Sequence, residues 1–291
     1  MSQPRLTVVV TRERADASNW VQALQQHDFE VCALPWLELN DIPSAQLVPP
    51  SLPADAYKAV MFVSAKAARV LARQDVAWVR DLHQAWAQGC GPRAWAPGPG
   101  TQRQLLELGV PAEMLDTPDA QAPQHDTENL WLAVRGQIQA TDSICVVRGQ
   151  DAWNDNGSVD AAGVDSAWPA NRNALFPLAQ GVGAHVHEWV VYQRGPAVWT
   201  PAESQDWAKA LSRPDAVWIA GSAMALNCGQ VLALRHGLST DWCAQRKALT
   251  WHPRVQAHAQ FLGWAPVALC EPGLDAVLLA LTNLQLKGLL S

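Results

Sequence analysis

Short apolar runs alternate with amphipathic stretches along most of this chain. Thr7-Val8-Val9-Val10 is a run of strand-forming side chains that ends on Thr11 and Arg12. Behind it Ala17, Trp20, Val21 and Leu24 recur at helical spacing, and Gln25-Gln26-His27-Asp28 closes the helix before Phe29-Glu30-Val31 restarts an extended segment. An apolar run without polar alternation belongs to a strand buried on both faces, as in a parallel sheet. The opening stretch therefore predicts a strand-helix-strand unit.

The pattern then repeats. Ser143-Ile144-Cys145-Val146-Val147-Arg148 matches the opening strand and also ends on an arginine. From there a longer stretch rich in Asp, Asn, Gly, Trp and Pro leads to Leu175-Phe176-Pro177-Leu178 and then Val186-His187-Glu188-Trp189. A second pair sets Ala59-Val60-Met61-Phe62-Val63-Ser64-Ala65 beside Ala216-Val217-Trp218-Ile219-Ala220-Gly221-Ser222-Ala223, each an apolar strand meeting a serine able to cap the helix behind it. A third sets Arg93 to Thr101 beside Lys247 to Val255, and the helices that follow end in Leu108-Gly109 and Leu262-Gly263. Matched segments in the same order indicate a duplicated half.

Alternating strands and helices predict an α/β protein of two doubly wound parallel-sheet lobes. In such sheets ligands lie beyond the carboxyl ends of the strands. Those ends are Thr11-Arg12, Ser64, Gly98 to Thr101, Arg148-Gly149, Ser222 and His252 to Arg254. Two further segments, Leu34 to Leu39 and Trp189 to Arg194, read as extended and are candidates for the connection between the halves.

Composition narrows the function classes. At 291 residues and 49% hydrophobic content the chain can build two cores and is too apolar to be disordered. A net charge of -6 without a long Lys/Arg run offers no broad basic surface for nucleic acid or an anionic membrane, so a polyanionic ligand needs local donors. The first residues lack the apolar stretch and cleavage site of a signal peptide and no run approaches a membrane span, so a cytoplasmic location is expected. The six cysteines show neither a Cys-x-x-Cys pair nor zinc-ligand spacing, and reduced structural thiols are expected. The fifteen tryptophans are spread along the whole chain; packing roles are expected for most, although a binding surface can also stack them on a conjugated ligand.

Gly98-Pro99-Gly100-Thr101 precedes an amphipathic helix, so its backbone N–H groups form a candidate anion site, or else an ordinary turn in which Thr101 serves as cap. It is neither a Walker A loop nor a G-x-G-x-x-G fingerprint. Ser64 and Ser222 can bind a carboxylate or cap their helices, and no Gly-x-Ser-x-Gly elbow surrounds either. Arg12 and Arg148 suit two-pronged pairing with a ligand carboxylate, or a salt bridge to a neighbouring acid. Tyr192, one of two tyrosines, carries a phenol that donates a hydrogen bond or proton while uncharged near neutral pH. His185 and His187 alternate along a strand without a matching third metal ligand and are read as structural or surface residues.

Taken in order, these residues resemble the uroporphyrinogen-III synthase family along nearly the whole chain. Val10-Thr11-Arg12 resembles its opening strand and Thr-Arg, Met61 to Ala65 its Phe-Thr-Ser-Ala element, and Gly98 to Thr101 its Gly-x-x-Thr turn. Thr127-Glu128-Asn129-Leu130 is similar to its Ser-Glu-x-Leu step, Val147-Arg148-Gly149 to its Arg-Gly, and Val191-Tyr192-Gln193-Arg194 to its Val-Tyr-x-Arg segment. The sequence departs from the family at Val63, at the long stretch from Gln150 to Asn173, and at His252-Pro253-Arg254.

The resemblance implies two α/β lobes joined by a two-stranded β ladder, one built from residues 1–36 and 194–291 and the other from 37–193. It implies a monomeric, cofactor-free and metal-free enzyme whose small-molecule substrate, hydroxymethylbilane, lies between the lobes, with no nucleic-acid or membrane partner. Tyr192 is then the catalytic residue assisting loss of the hydroxymethyl oxygen as water. Arg12, Ser64, Gly98, Gly100, Thr101, Arg148, Gly149 and Ser222 are the expected substrate-binding residues. A two-lobed binding or regulatory protein that closes over an anionic ligand without chemistry fits the same residues, whereas a nucleotide-dependent enzyme lacks its phosphate loop.

Overall fold

Strand β1 (Thr7–Val10) leads through α1 (Arg14–Gln26) to β2 (Glu30–Ala33) and β3 (Leu37–Asp41). The chain continues through β4 (Ala59–Phe62), α2 (Ala65–Ala72), α3 (Ala77–Ala87), β5 (Arg93–Trp95), α4 (Pro99–Glu107) and β6 (Leu115–Asp116). Then come α5 (Thr127–Val134), β7 (Ser143–Asp151), α6 (Leu175–Gln180) and β8 (His185–Pro196). Helix α7 (Pro201–Leu211), β9 (Val217–Ile219), α8 (Ala223–Arg235), β10 (Lys247–Thr250), α9 (Pro253–Phe261), β11 (Val267–Leu269) and α10 (Leu274–Leu286) complete the order. The computed structural model describes residues 5–122, 124–151 and 174–286, so most of the Asp/Asn/Gly/Trp/Pro-rich stretch lies outside the described residues.

Two compact units result, one from residues 5–39 and 195–286, the other from 40–151 and 174–194. The chain leaves the first unit within β3 and returns to it within β8. In the first unit the strands run parallel in the order β2-β1-β9-β10-β11. The β1 run is uniformly apolar because both of its faces are covered. Val9 joins Trp218, Leu226 and Val255 on the side of α7, α8 and α9, while Val8 and Val10 join Leu24, Val277 and Leu281 on the side of α1 and α10.

The second unit has the parallel order β8-β7-β4-β5-β6, with β3 added at the outer edge of β8. Ile42 N–H bonds to Val191 O and Ala197 N–H to Trp36 O, each at 3.0 Å, so β3 and β8 form an antiparallel ladder from the two extended segments expected to link the halves. One face of this sheet packs Met61, Trp95, Ile144 and Val146 against Leu130 and Trp131 of α5 and Leu175 of α6. On the other side Phe62 meets Trp86 of α3, with ring centroids 6.3 Å apart.

The matched segments of the sequence occupy matched places. Strand β1 corresponds to β7, β9 to β4 and β10 to β5, and each is followed by its helix. Ser64 and Ser222 each accept a hydrogen bond from the backbone N–H three residues on, Ala67 and Ala225, at 3.1 Å. After α4 and α9, Gly109 and Gly263 adopt φ of 85° and 97°, the left-handed conformation that ends a helix and that glycine enters without a Cβ clash.

In the first unit the chain returning from β8 is secured by a capping box. Thr200 Oγ1 accepts from Glu203 N at 3.2 Å, and Glu203 Oε2 accepts from Thr200 N at 2.7 Å. Arg14 forks onto the same carboxylate through Nε and Nη2, both at 2.9 Å, and this hydrogen bonding holds the Glu203 carboxyl below its ordinary pKa. A lowered folded-state pKa stabilises above the ordinary carboxylate range and is lost as pH falls through the lowered value. Denaturant melts of Glu203→Gln are therefore expected to show a deficit at neutral pH that shrinks in acid. Thr200→Ala should cost about 1 kcal/mol.

Candidate functional site

In each unit the strand order reverses beside the first strand of its matched half, between β1 and β9 and between β7 and β4. At such a switch point the connections diverge and leave a crevice at the carboxyl ends of the strands. The second unit has a pocket of about 510 Å³ there. Its walls come from Val63 and Ser64 after β4, Pro97 and Gly98 after β5, Arg148 and Gly149 on β7, Tyr192 and Arg194 on β8, and Thr101 on α4. Ala174 and the segment His125 to Glu128 complete it.

Three helices begin at this pocket. Helix α2 is capped by Ser64, α4 has Gly98 at its N-cap with Pro99 in the first turn, and α5 is capped by Asp126, whose carboxylate accepts from Asn129 N at 2.9 Å. A helix start presents N–H groups without intrahelical partners and the positive end of its dipole, which together favour an anion. Gly98 and not Thr101 occupies the cap position, so Thr101 sits one turn into α4, 6% exposed and facing the pocket. That disposes of the reading in which Thr101 is the cap.

The two arginines of the wall arrive with carboxylate partners. Arg148 Nη1 lies 2.6 Å from Glu188 Oε1 and its Nε donates to Gly149 O at 3.0 Å, while Arg194 pairs with buried Asp151 on the neighbouring strand. These pairs span β7 and β8 and hold the guanidinium groups at the pocket wall while offsetting most of their charge.

Tyr192 is placed by an irregularity in the same two strands. The register shifts between Arg148, opposite Val190, and Gly149, opposite Tyr192. A bulge of this kind re-aims side chains. The Tyr192 ring then lies directly over Gly149, where an added Cβ would stand 2.2 Å from Cε2 and 2.3 Å from Cζ. Tyr192 is 5% exposed and its Oη is 3.3 Å from Ser64 Oγ. Gly149→Ala should therefore push the phenol out of place at a cost of about 1–3 kcal/mol, read as a lowered denaturation midpoint, with loss of whatever activity the phenol supports.

Six of the expected site residues, Ser64, Gly98, Thr101, Arg148, Gly149 and Tyr192, thus line one pocket, whereas Gly100 is exposed in the first turn of α4 and is not among the lining residues. Arg12 and Ser222 belong to the first unit, at the ends of β1 and β9. There the Arg12 guanidinium stands 4.7 Å from the Trp20 ring centroid and 5.7 Å from that of Trp251, and Nη2 pairs with Asp16 at 3.1 Å. Ser222 caps α8, and the His252 ring accepts from Arg254 N at 3.1 Å to cap α9.

The lining residues not anticipated as site residues are chiefly His125, Asp126, Glu128 and Arg194. Arg194 had a usable signal, since it follows Tyr192 by two residues on a strand and so shares its face. Among the described residues no group of three or more His, Cys, Asp and Glu side chains is placed to hold a metal, and no helix is long and apolar enough to cross a membrane. His187 packs edge-on against Tyr57 at 5.5 Å, and burial pushes the Tyr57 phenol up to about 12.

Fold and site together define a two-lobed, doubly wound α/β protein with a pocket at one switch point where three helices begin. Two solved structures share this fold over nearly the whole chain. A mutant uroporphyrinogen III synthase from the extreme thermophile Thermus thermophilus matches with a TM-score of 0.55 at 13% identity, over 97% of this chain and 99% of its own. Uroporphyrinogen-III synthetase from Helicobacter pylori matches with a TM-score of 0.56 at 15% identity, over 96% of this chain and 100% of its own. No family model and no curated protein matches the chain. At these identities the likeness is one of fold.

Proposed function

We propose that the protein is a cytoplasmic, monomeric cyclising hydro-lyase that converts hydroxymethylbilane to uroporphyrinogen III. The observation that carries this reading is a phenol, Tyr192, held 3.3 Å from Ser64 in the wall of a pocket where three helices begin. Hydroxymethylbilane carries eight carboxylates. Helix starts and hydroxyls suit such a ligand, and they do so without the net positive surface that a protein of charge -6 lacks.

In this reading the pyrrole nitrogen lone pair expels the hydroxymethyl oxygen as the Tyr192 phenol gives it a proton, so water leaves and an azafulvenium cation, still carrying its N–H, remains beside a tyrosinate. Closure through a spiro intermediate and reattachment of the last ring in reverse gives the type III macrocycle. The proton lost from the last ring's unsubstituted α-carbon, which forms the final bond on reattachment, restores the phenol. Thr101 faces the pocket and is proposed, with Gly98, Arg148 and the backbone N–H groups that start α2 behind Ser64, to hold substrate carboxylates. Because unassisted closure yields the type I isomer, holding the chain in one folded shape matters as much as acceleration.

The test is incubation of the purified protein with freshly prepared hydroxymethylbilane, followed by oxidation and separation of type III from type I uroporphyrin. Type III in excess supports the synthase. Type I at the background rate removes it, and tight binding without turnover would then favour the binding or regulatory alternative.

A further inference from the structure

We propose that Ser64 is a positioning residue for Tyr192, donating a hydrogen bond to the phenol oxygen and stabilising the negative charge left there when the proton is given up. The reaction it serves is the one proposed above, but the coupling between the two side chains rests on geometry alone. A serine hydroxyl has one donor and two acceptor sites. At Ser64 one acceptor site is taken by Ala67 N–H at 3.1 Å, which fixes Oγ as the cap of the eight-residue helix α2. Tyr192 Oη lies 3.3 Å away on the other side.

Only one arrangement of protons leaves the phenol able to act. For Tyr192 to hand its proton into the pocket its O–H must point there, so Ser64 must be the donor between the two. As charge develops on Oη this bond becomes charge-assisted and strengthens. The Ala67 N–H behind Ser64 withdraws density from Oγ in the same direction, and the start of α2 adds the positive end of its dipole. Hydrogen bonding to the charged form of an acid favours that form. Gly149 completes the arrangement from beneath, because the ring can reach Ser64 only where there is no Cβ below it.

The duplicated halves supply an internal comparison. Ser222 caps α8 as Ser64 caps α2, with the same 3.1 Å bond to the backbone, so capping alone accounts for a serine at both places. The strand matching β8 in the first unit is β2, which contains no tyrosine. The phenol is thus the feature peculiar to the second unit. The other charged groups on the pocket wall are Arg148 and Arg194, both ion-paired across β7 and β8, together with His125, Asp126 and Glu128 around the start of α5.

With two tyrosines in the chain, protein labelled with carbon-13 at tyrosine Cζ gives two resonances, and the one lost in Tyr192→Phe belongs to Tyr192. Ser64→Ala and Ser64→Gly remove the hydroxyl; the glycine variant retains most of the cap energy and guards against misfolding. Both are expected to shift the Tyr192 Cζ resonance, which reports the hydrogen bond at its oxygen, and to lower kcat about tenfold at little changed KM, with Ser64→Thr restoring both. A Tyr192 resonance that stays in place in the glycine variant overturns the proposal, as does a loss confined to KM, which would make Ser64 a carboxylate ligand only. Because the resonance is read without substrate, a protein that fails the synthase assay but shows the shift loses the reaction and retains the coupling.

Discussion

Tyr192→Phe is expected to lower kcat for type III formation by about 100-fold or more while leaving KM within a few-fold of its original value, which is the range for removal of a general acid. The ring remains, so its packing over Gly149 is preserved and the fold should not respond. What is lost is the group that donates to the departing hydroxyl. Residual product should drift toward the type I isomer, because slow assisted closure loses ground to the unassisted path. A kcat within twofold of the original would remove Tyr192 as the acid and leave the pocket a purely conformational role.

How far this site was readable from sequence varies from residue to residue. Val10-Thr11-Arg12 disclosed itself because a strand buried on both faces has no polar alternation, and its first polar residue marks the carboxyl end, whereas Arg148, read in the same way, lies inside β7, which runs on to Asp151. Ser64, Gly98 and Thr101 followed from the same logic. Gly149 was expected to touch the ligand, yet its absent Cβ makes room for Tyr192, and nothing in the sequence announces a register shift between two strands. The segment around Glu128 was noticed only for its family resemblance, and neither it nor Asp126 was expected at the pocket, because a helix start reaches the pocket through topology and not through proximity along the chain.

The largest loss of stability is expected at Trp218→Ala, about 3–5 kcal/mol by chemical denaturation, which approaches the whole stability of many domains. Trp218 is fully buried, with ring centroids 5.6 Å from Trp36, 5.7 Å from Trp207, 5.5 Å from Trp242 and 5.8 Å from Trp264. Trp199 joins through Trp207 at 4.9 Å. Edge-to-face and offset contacts of this kind add to the area they bury. Gly229 on α8 permits the approach, since a Cβ there would lie 2.9 Å from the Trp36 ring.

Trp218→Phe should cost much less than the alanine. It keeps most of the apolar volume and removes an indole N–H that is buried without a partner among the described residues. A comparable loss in both variants would show that shape, and not volume, holds the cluster together.

These tryptophans also mark the boundary of what periodicity reveals. They are scattered along the sequence, and packing roles were the natural expectation for most. Their convergence into one cluster depends on β1, β9 and β10 lying side by side, an arrangement that the repeated segments suggest but that spacing alone cannot specify. Trp20 and Trp251 have a different fate, enclosing Arg12 at the matching switch point of the first unit.

The strand order has one more consequence, and it concerns time. Strand β1 pairs with β9, and Thr11 Oγ1 donates to Ile219 O across 208 positions of chain. On a ribosome adding roughly 5–20 residues each second, β1 and β2 would wait some 10–40 seconds for that neighbour. All the strands of the second unit emerge within that interval. The first unit to begin is therefore the last able to finish, and until then the β9-facing side of its Val8 to Val10 run is an unpaired apolar edge.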